Sequence, residues 1–147
     1  MIRLTRTKIL WVTTATVLAV AFFPVPQVVA PDWTVMTLDN TRRPLQGITV
    51  REEWQQYSLE DSAHEEDRLS DNRGEAHFPR RTQWASFAGR FLGCARQIAS
   101  TGAHASCGPH SYLVAFGNGV DTMDWEDIGQ EDGTTAPWQR STLVLKH

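Results

Sequence analysis

The sequence predicts a mainly β fold, a small antiparallel β-sandwich of about six or seven strands. One inserted amphipathic helix and an N-terminal hydrophobic helix complete it. Three observations point there. Short stretches of alternating apolar and polar residues recur, separated by Gly, Pro, Asp and Asn. Only one later stretch, residues 82–101, switches to a helical period. No helix of about 20 residues alternates with each strand, which argues against a parallel α/β sheet. The 147 residues suit one domain.

The chain starts with Arg3, Arg6 and Lys8, followed by an uncharged apolar run from Ile9 to Phe23. That order is the layout of a signal peptide or a signal-anchor helix over residues 1–30. Val28-Val29-Ala30 offers small residues for cleavage, yet Pro31 directly after the cut disfavours it. A spanning helix needs about 20 apolar residues. The run reaches that length only through Pro24 and Pro26 to Ala30. Cleaved export and retained anchor both stay open, as does a buried N-terminal helix of a soluble domain. The expected location is exported, either membrane-anchored through residues 9–30 or periplasmic or extracellular. An anchor would leave its basic end in the cytoplasm.

The β domain then covers residues 31–147. All 17 acidic residues lie there with 11 of the 14 basic ones, a net charge of −6. That argues against a nucleic-acid surface, which would be basic. Cys94 and Cys107, with 12 residues between them, form a candidate disulfide in an oxidising compartment. Two free buried thiols are the alternative.

The elements follow in order. Trp33–Leu38 is rich in β-formers, and Asp39-Asn40-Thr41 is turn chemistry. Ile48, Val50 and Trp54 alternate with polar residues as a half-buried strand. Glu52 breaks its buried face, so the strand is expected to bend or approach an edge there. Residues 58–68 read as a charged loop with a solvent-facing edge strand. Asp71-Asn72-Arg73-Gly74 is a turn before a short strand with Ala76 and Phe78, ended by Pro79.

Trp84, Phe87, Ala88, Phe91, Leu92, Ala95, Ile98 and Ala99 lie on one helical face of residues 82–101. Thr82 is the expected cap and Gly102 the expected stop. Gly89 and Gly93 permit close backbone approach on one side. The expected role of this helix is to pack over an open sheet face, with Trp84, Phe87, Phe91 and Leu92 as core candidates. Its arginines, Arg80, Arg81, Arg90 and Arg96, allow the other reading, a helix lying on a membrane. Residues 108–121 read as a central strand ending in a Gly-Asn-Gly turn, and "STLVLKH", Ser141–His147, as the last strand.

Val35 to Val50, "VMTLDNTRRPLQGITV", resembles the first hairpin of the carboxypeptidase regulatory-like domains, close to the Cna-B and transthyretin-like β-sandwiches. Asp39, Pro44, Gly47 and Val50 carry the match. "SDNRGEAHF" resembles their second turn, through Ser70, Asp71, Gly74 and Phe78. Residues 80–109 have no counterpart and stand as an insertion. The resemblance implies a stalk, spacer or interaction module of exported proteins. It also implies a distant tie to 5-hydroxyisourate hydrolases, but their C-terminal Tyr-Arg-Gly-Ser is missing, since this chain ends "STLVLKH".

No stretch forces a catalytic chemistry, and no cofactor is indicated: G-x-S-x-G and phosphate-cradling glycine loops are both absent. His104, Cys107 and His110 are spaced for zinc, with Cys94 competing for the thiol. The acidic run 121–133, with Asp124 and Asp127, could hold calcium, although no EF-hand spacing is present. His64–Asp67 reads as a solvated charged edge. The expected function is a non-enzymatic, exported structural or protein–protein interaction module at the cell envelope. A carbohydrate- or metal-binding module using Trp125 and Trp138 is the alternative, and a hydrolase the third reading.

Overall fold

The computed structural model describes residues 6–117, 124–128 and 138–145. In order come α1 (Arg6–Phe22), β1 (Pro24–Ala30), β2 (Asp32–Asp39), β3 (Thr49–Gln56), β4 (His64–Leu69), β5 (Glu75–Phe78) and β6 (Arg81–Ser86). Then follow α2 (Phe87–Thr101), a single 3-10 turn, β7 (Pro109–Phe116), β8 (Asp124–Ile128) and β9 (Trp138–Leu145). A three-stranded sheet, β5-β2-β9, faces a four-stranded sheet, β4-β3-β7-β8. Strands β1 and β6 form a separate two-stranded ribbon.

The sandwich core is the sum of period-two faces. Trp33, Val35, Ala76, Phe78, Leu143 and Leu145 come from one sheet; Val50, Leu113 and Ala115 come from the other, with Ile48 beside them. Each alternates with a more exposed neighbour, because successive side chains leave a strand on opposite faces. Buried Trp33 donates its Nε1–H to Ser141 Oγ at 2.7 Å, so the indole brings no unpaired polar group into the core.

Among the described residues all strand pairings are antiparallel but one. β2 and β9 run parallel, from Asp32 opposite Trp138 to Asp39 opposite Leu145. This departs from the all-antiparallel expectation. The partner strands lie more than a hundred residues apart, and no local turn sets their direction.

Several elements differ from expectation. The helix begins at Phe87, not at 82, because residues 81–86 pair with β1 as a strand. Ser86, not Thr82, is the N-cap, and its side chain accepts from Gly89 N–H. Gly102 caps the end as expected. Residues 24–30 do not extend the apolar helix. Pro24 follows its end, and the stretch pairs with β6 as an edge strand, where prolines are tolerated. Val29 and Ala30 are buried, so the boundary at residue 30 falls at the end of an integrated strand.

The core candidates Trp84, Phe87, Phe91 and Leu92 are all exposed. The two sheets close the core by themselves, and α2 packs outside it on its glycine side. A Cβ on Gly93 would lie 1.5 Å from the Ser58 carbonyl oxygen, so helix and turn backbones touch. Gln97 Nε2 donates to the Tyr57 carbonyl at 3.0 Å on the same side. The large apolar residues are thereby turned outward.

Candidate functional site

A cleft of about 440 Å³ opens where the β1–β6 ribbon meets β3 and β4. Trp54, Glu60, His64, Arg80, Arg81 and Gln83 line it, with Val29 and Thr82 at its side. Glu52 supplies the charge beneath it. The strand was expected to reach an edge at that residue, but β3 is interior, between β4 and β7. Glu52 keeps the inward register of Val50 and is 0 % exposed. It is tolerated there because Arg81 reaches it from β6, Nε to Oε2 at 3.0 Å. The same guanidinium binds Glu66 on β4 and lies 4.3 Å over the Trp54 ring.

A second network closes the rim. His64 stacks on its cross-strand partner Trp54, ring centroids 5.5 Å apart. Its Nε2 pairs with Glu60 Oε1 at 2.9 Å. Glu60 also accepts from Gln83 Nε2 at 2.8 Å and from the Gln56 N–H at 2.9 Å. Gln56 in turn donates to Gln27 on β1 at 2.8 Å. Ribbon and sheet are therefore joined by the hydrogen bonds of Arg81 to Glu52, Gln83 to Glu60 and Gln56 to Gln27.

Electrostatics sorts these carboxylates. Burial pushes Glu52 up to about 7, although Arg81 opposes the rise. Its Oε1 has no hydrogen-bond partner among the described residues. Burial would also raise Glu60, but the hydrogen bonds from Gln56, His64 and Gln83 outweigh it and hold it below its ordinary value. Hydrogen bonds from Arg68 and Arg81 hold Glu66 low.

The sequence candidates separate clearly. Cys94 and Cys107 form a disulfide, which ties the middle of α2 to the loop before β7 and fits an oxidising, extracellular or periplasmic environment. That pairing removes Cys107 from the proposed zinc set of His104, Cys107 and His110. His110 instead lies near the rings of Tyr57 and Tyr112, at 5.6 and 6.0 Å. Among the described residues no three His, Cys, Asp or Glu groups converge as metal ligands. The middle of the acidic run is strand β8 rather than loop. The side chains of Asp124, Trp125 and Asp127, and the rest of that run, lie outside the described residues, as does most of the Gly-Asn-Gly turn. Trp138 is 70 % exposed on β9.

The HEED stretch alternates as a strand must. Glu65 and Asp67 pair with Arg51, while His64 and Glu66 face the cleft side. The hairpin motif residues build turns and core. Asp39 Oδ1 accepts from Thr41 N–H at 2.7 Å and Arg43 N–H at 2.8 Å, and Pro44 bridges to Leu38. Asp71 Oδ1 accepts from Arg73 and Glu75 N–H at 2.8 and 2.9 Å. Gly47 and Gly74 both have φ of 76°, and Val50 and Phe78 are buried. Sequence reasoning missed the Glu52–Arg81 pair. Its one signal was an acid in an apolar register, which demands a cation from elsewhere in the chain.

The other prominent feature is apolar. α1 has no buried residue, and Ile9, Leu10, Trp11, Val12, Val17 and Val20 are exposed around it. Among the described residues no helix is long and apolar enough to cross a membrane.

No family model matches the sequence, and no curated protein matches it. Among solved structures, the chain is similar to 3-chlorocatechol 1,2-dioxygenase from Rhodococcus opacus 1CP, at 14 % identity and TM-score 0.49, over 78 % of this chain and 59 % of that one. Chlorocatechol 1,2-dioxygenase from Pseudomonas putida gives 14 % identity and TM-score 0.48, over 84 % and 61 %. A 9R-lipoxygenase from Cyanothece PCC8801 gives 11 % and 0.37, over 95 % of this chain and 20 % of that one. The chain spans about three fifths of the length of the two dioxygenases. Likeness at these scores carries no functional argument.

Proposed function

We propose that this chain is an exported, non-enzymatic β-sandwich module that stays attached to the membrane through α1 and serves a structural or protein-interaction role at the cell envelope. One observation carries the reading. An apolar helix with no buried residue leads directly into β1, and β1 is an integral strand of the domain. Cleavage after Ala30 would remove that strand, strip β6 of its hydrogen-bonded partner and expose the surface that Val29 and Ala30 bury. Retention of the helix keeps the fold whole. The disulfide supports placement of the sandwich on the oxidising side.

The cleft favours a structural role over a catalytic one. Glu60 is committed to His64 and to Gln83 of the ribbon, and Arg81 to Glu52 and Glu66 of the sheet. A general acid or base would need capacity directed at a substrate. Kinship with the carboxypeptidase regulatory-like domains belongs to the same reading, supported by Asp39, Gly47, Asp71 and Gly74 in the two tight turns. A carbohydrate-binding module is the second reading, favoured by exposed Trp138.

Cell fractionation tests the proposal. The exported chain should stay with membranes through an alkaline carbonate wash, and its intact mass should include residues 24–30. Soluble protein beginning at Pro31 would overturn it. Affinity capture from envelope extracts then identifies the partner.

A further inference from the structure

Resting on that reading, we infer that the outward face of α2, together with Trp84, docks on a bilayer surface bearing anionic lipid headgroups. Phe87, Phe91 and Ile98 form one stripe at helical spacing, with Leu92 on its flank. They are 65, 65, 54 and 59 % exposed, and Trp84 just before them is 66 % exposed. The opposite side of the helix is fixed to the domain. Gly93 lies against Ser58, Gln97 binds the Tyr57 carbonyl, and Arg96 pairs with Asp61 at 2.6 Å. The apolar stripe therefore cannot roll inward. Five large apolar side chains gathered in one place mark an interaction surface.

Two features select lipid as the occupant. The first is continuity with α1. Thr16, Val17, Val20 and Ala21 of α1 share an apolar hollow of about 340 Å³ with Phe87. A bilayer that takes up this end of α1 meets the first turn of α2 at the same level. The second is charge. Residues 80–120 contain no Asp or Glu, in a chain with 17 acids, and of their four arginines Arg81 and Arg96 are paired with acids from outside the stretch. Arg80, which is exposed, and Arg90, which is half-buried with its Nε covered, have no acidic partner among the described residues. Arginines bordering an apolar stripe, with a tryptophan at its edge, suit the boundary between headgroups and acyl chains. A protein groove would need no such local loss of acids.

Tryptophan quenching by brominated lipid tests this with the full chain in vesicles. Trp11 reports on α1 and Trp84 on α2, each isolated by its Trp→Phe variant. In vesicles of brominated phosphatidylcholine with phosphatidylglycerol, both should be quenched, Trp84 by bromine placed near the headgroups. Phe91→Asp with Ile98→Asp, at exposed positions, should abolish Trp84 quenching and keep that of Trp11. Arg80→Gln and Arg90→Gln should each lower the docked-to-undocked ratio of α2 about five-fold. Quenching of Trp11 without Trp84 overturns the docking of α2 and leaves the tether standing. Quenching of neither overturns both. Trp84 shielded from bromine in chains that cross-link in pairs assigns the face to a second copy, and also overturns the inference. Equal Trp84 quenching in pure phosphatidylcholine overturns the requirement for anionic lipid.

Discussion

The guanidinium of Arg81 holds the fully buried carboxylate of Glu52 at 3.0 Å, bridging 29 residues of chain and joining the β1–β6 ribbon to the four-stranded sheet. Removing the cation leaves a buried charge with no partner. Arg81→Leu should therefore cost about 3–5 kcal/mol above pH 7. Urea unfolding measures it. At pH 5, where Glu52 is protonated, the cost should shrink. A cost independent of pH would show that the pair does not carry the effect.

The pH dependence of the intact chain has a defined sign. The folded-state value of Glu52 is raised to about 7 from 4.5. The folded state therefore holds its proton more tightly than the unfolded state does. This contribution to stability is complete below about pH 4.5 and is lost as the pH rises to about 7, by about 3 kcal/mol. Glu60, Glu66 and Asp67 are lowered, so their stability is lost at more acidic pH and does not mask this window. Glu52→Gln should flatten the fall between pH 5 and 7, read from denaturant midpoints across pH.

Gly93→Ala should destabilise, against helix propensity. Alanine normally gains about 1 kcal/mol over glycine inside a helix. Here its methyl would lie 1.5 Å from the Ser58 carbonyl oxygen, and backbone cannot swing aside. The expected net loss is about 1–3 kcal/mol, as in overpacked cores. Gly89→Ala meets the Ser86 hydroxyl at 3.0 Å and the Leu59 side chain at 3.9 Å, with no backbone in the way, and should cost less. Thermal unfolding of the two variants side by side checks the order.

Ser141→Ala should cost about 1–3 kcal/mol, because it leaves the Trp33 Nε1–H buried without an acceptor. In a Trp33→Phe background the same change should cost much less. A double-mutant cycle on urea midpoints gives the coupling.

Reduction of the Cys94–Cys107 bridge should lower stability by about 3 kcal/mol, from the loop-closure entropy of a short loop. Cys94→Ser with Cys107→Ser should match the reduced protein. Equal denaturation midpoints with and without dithiothreitol would contradict the prediction.

Legibility followed the range of the interaction. The turns at Asp39 and Asp71, the strand alternation and the stop at Gly102 rest on neighbours within a few residues, and all were readable. The start of α2 was not. Trp84 and Phe87 fit a helical spacing, yet residues 81–86 found a strand partner in Pro24–Ala30, 51 to 62 residues away along the chain. The outward turn of Phe87, Phe91 and Leu92 was equally hidden. Their apolarity suggested a core, but the backbone contact at Gly93 sets which side of the helix meets the domain. The cleft was invisible for the same reason, since Glu52 and Arg81 carry no shared motif.

By itself, the sequence determined a mainly β chain, its two tight turns, the alternating faces that become the core and an apolar, basic-led start. Backbone sterics and local hydrogen bonding decide those features. Tertiary structure alone decided that β9 lies parallel to β2, that residues 24–30 are a strand, that Glu52 is buried on Arg81 and that α2 presents its large side chains to the outside. Each depends on which distant segment supplies a hydrogen bond, a counter-charge or a covering surface, and residue spacing along the chain does not encode that choice.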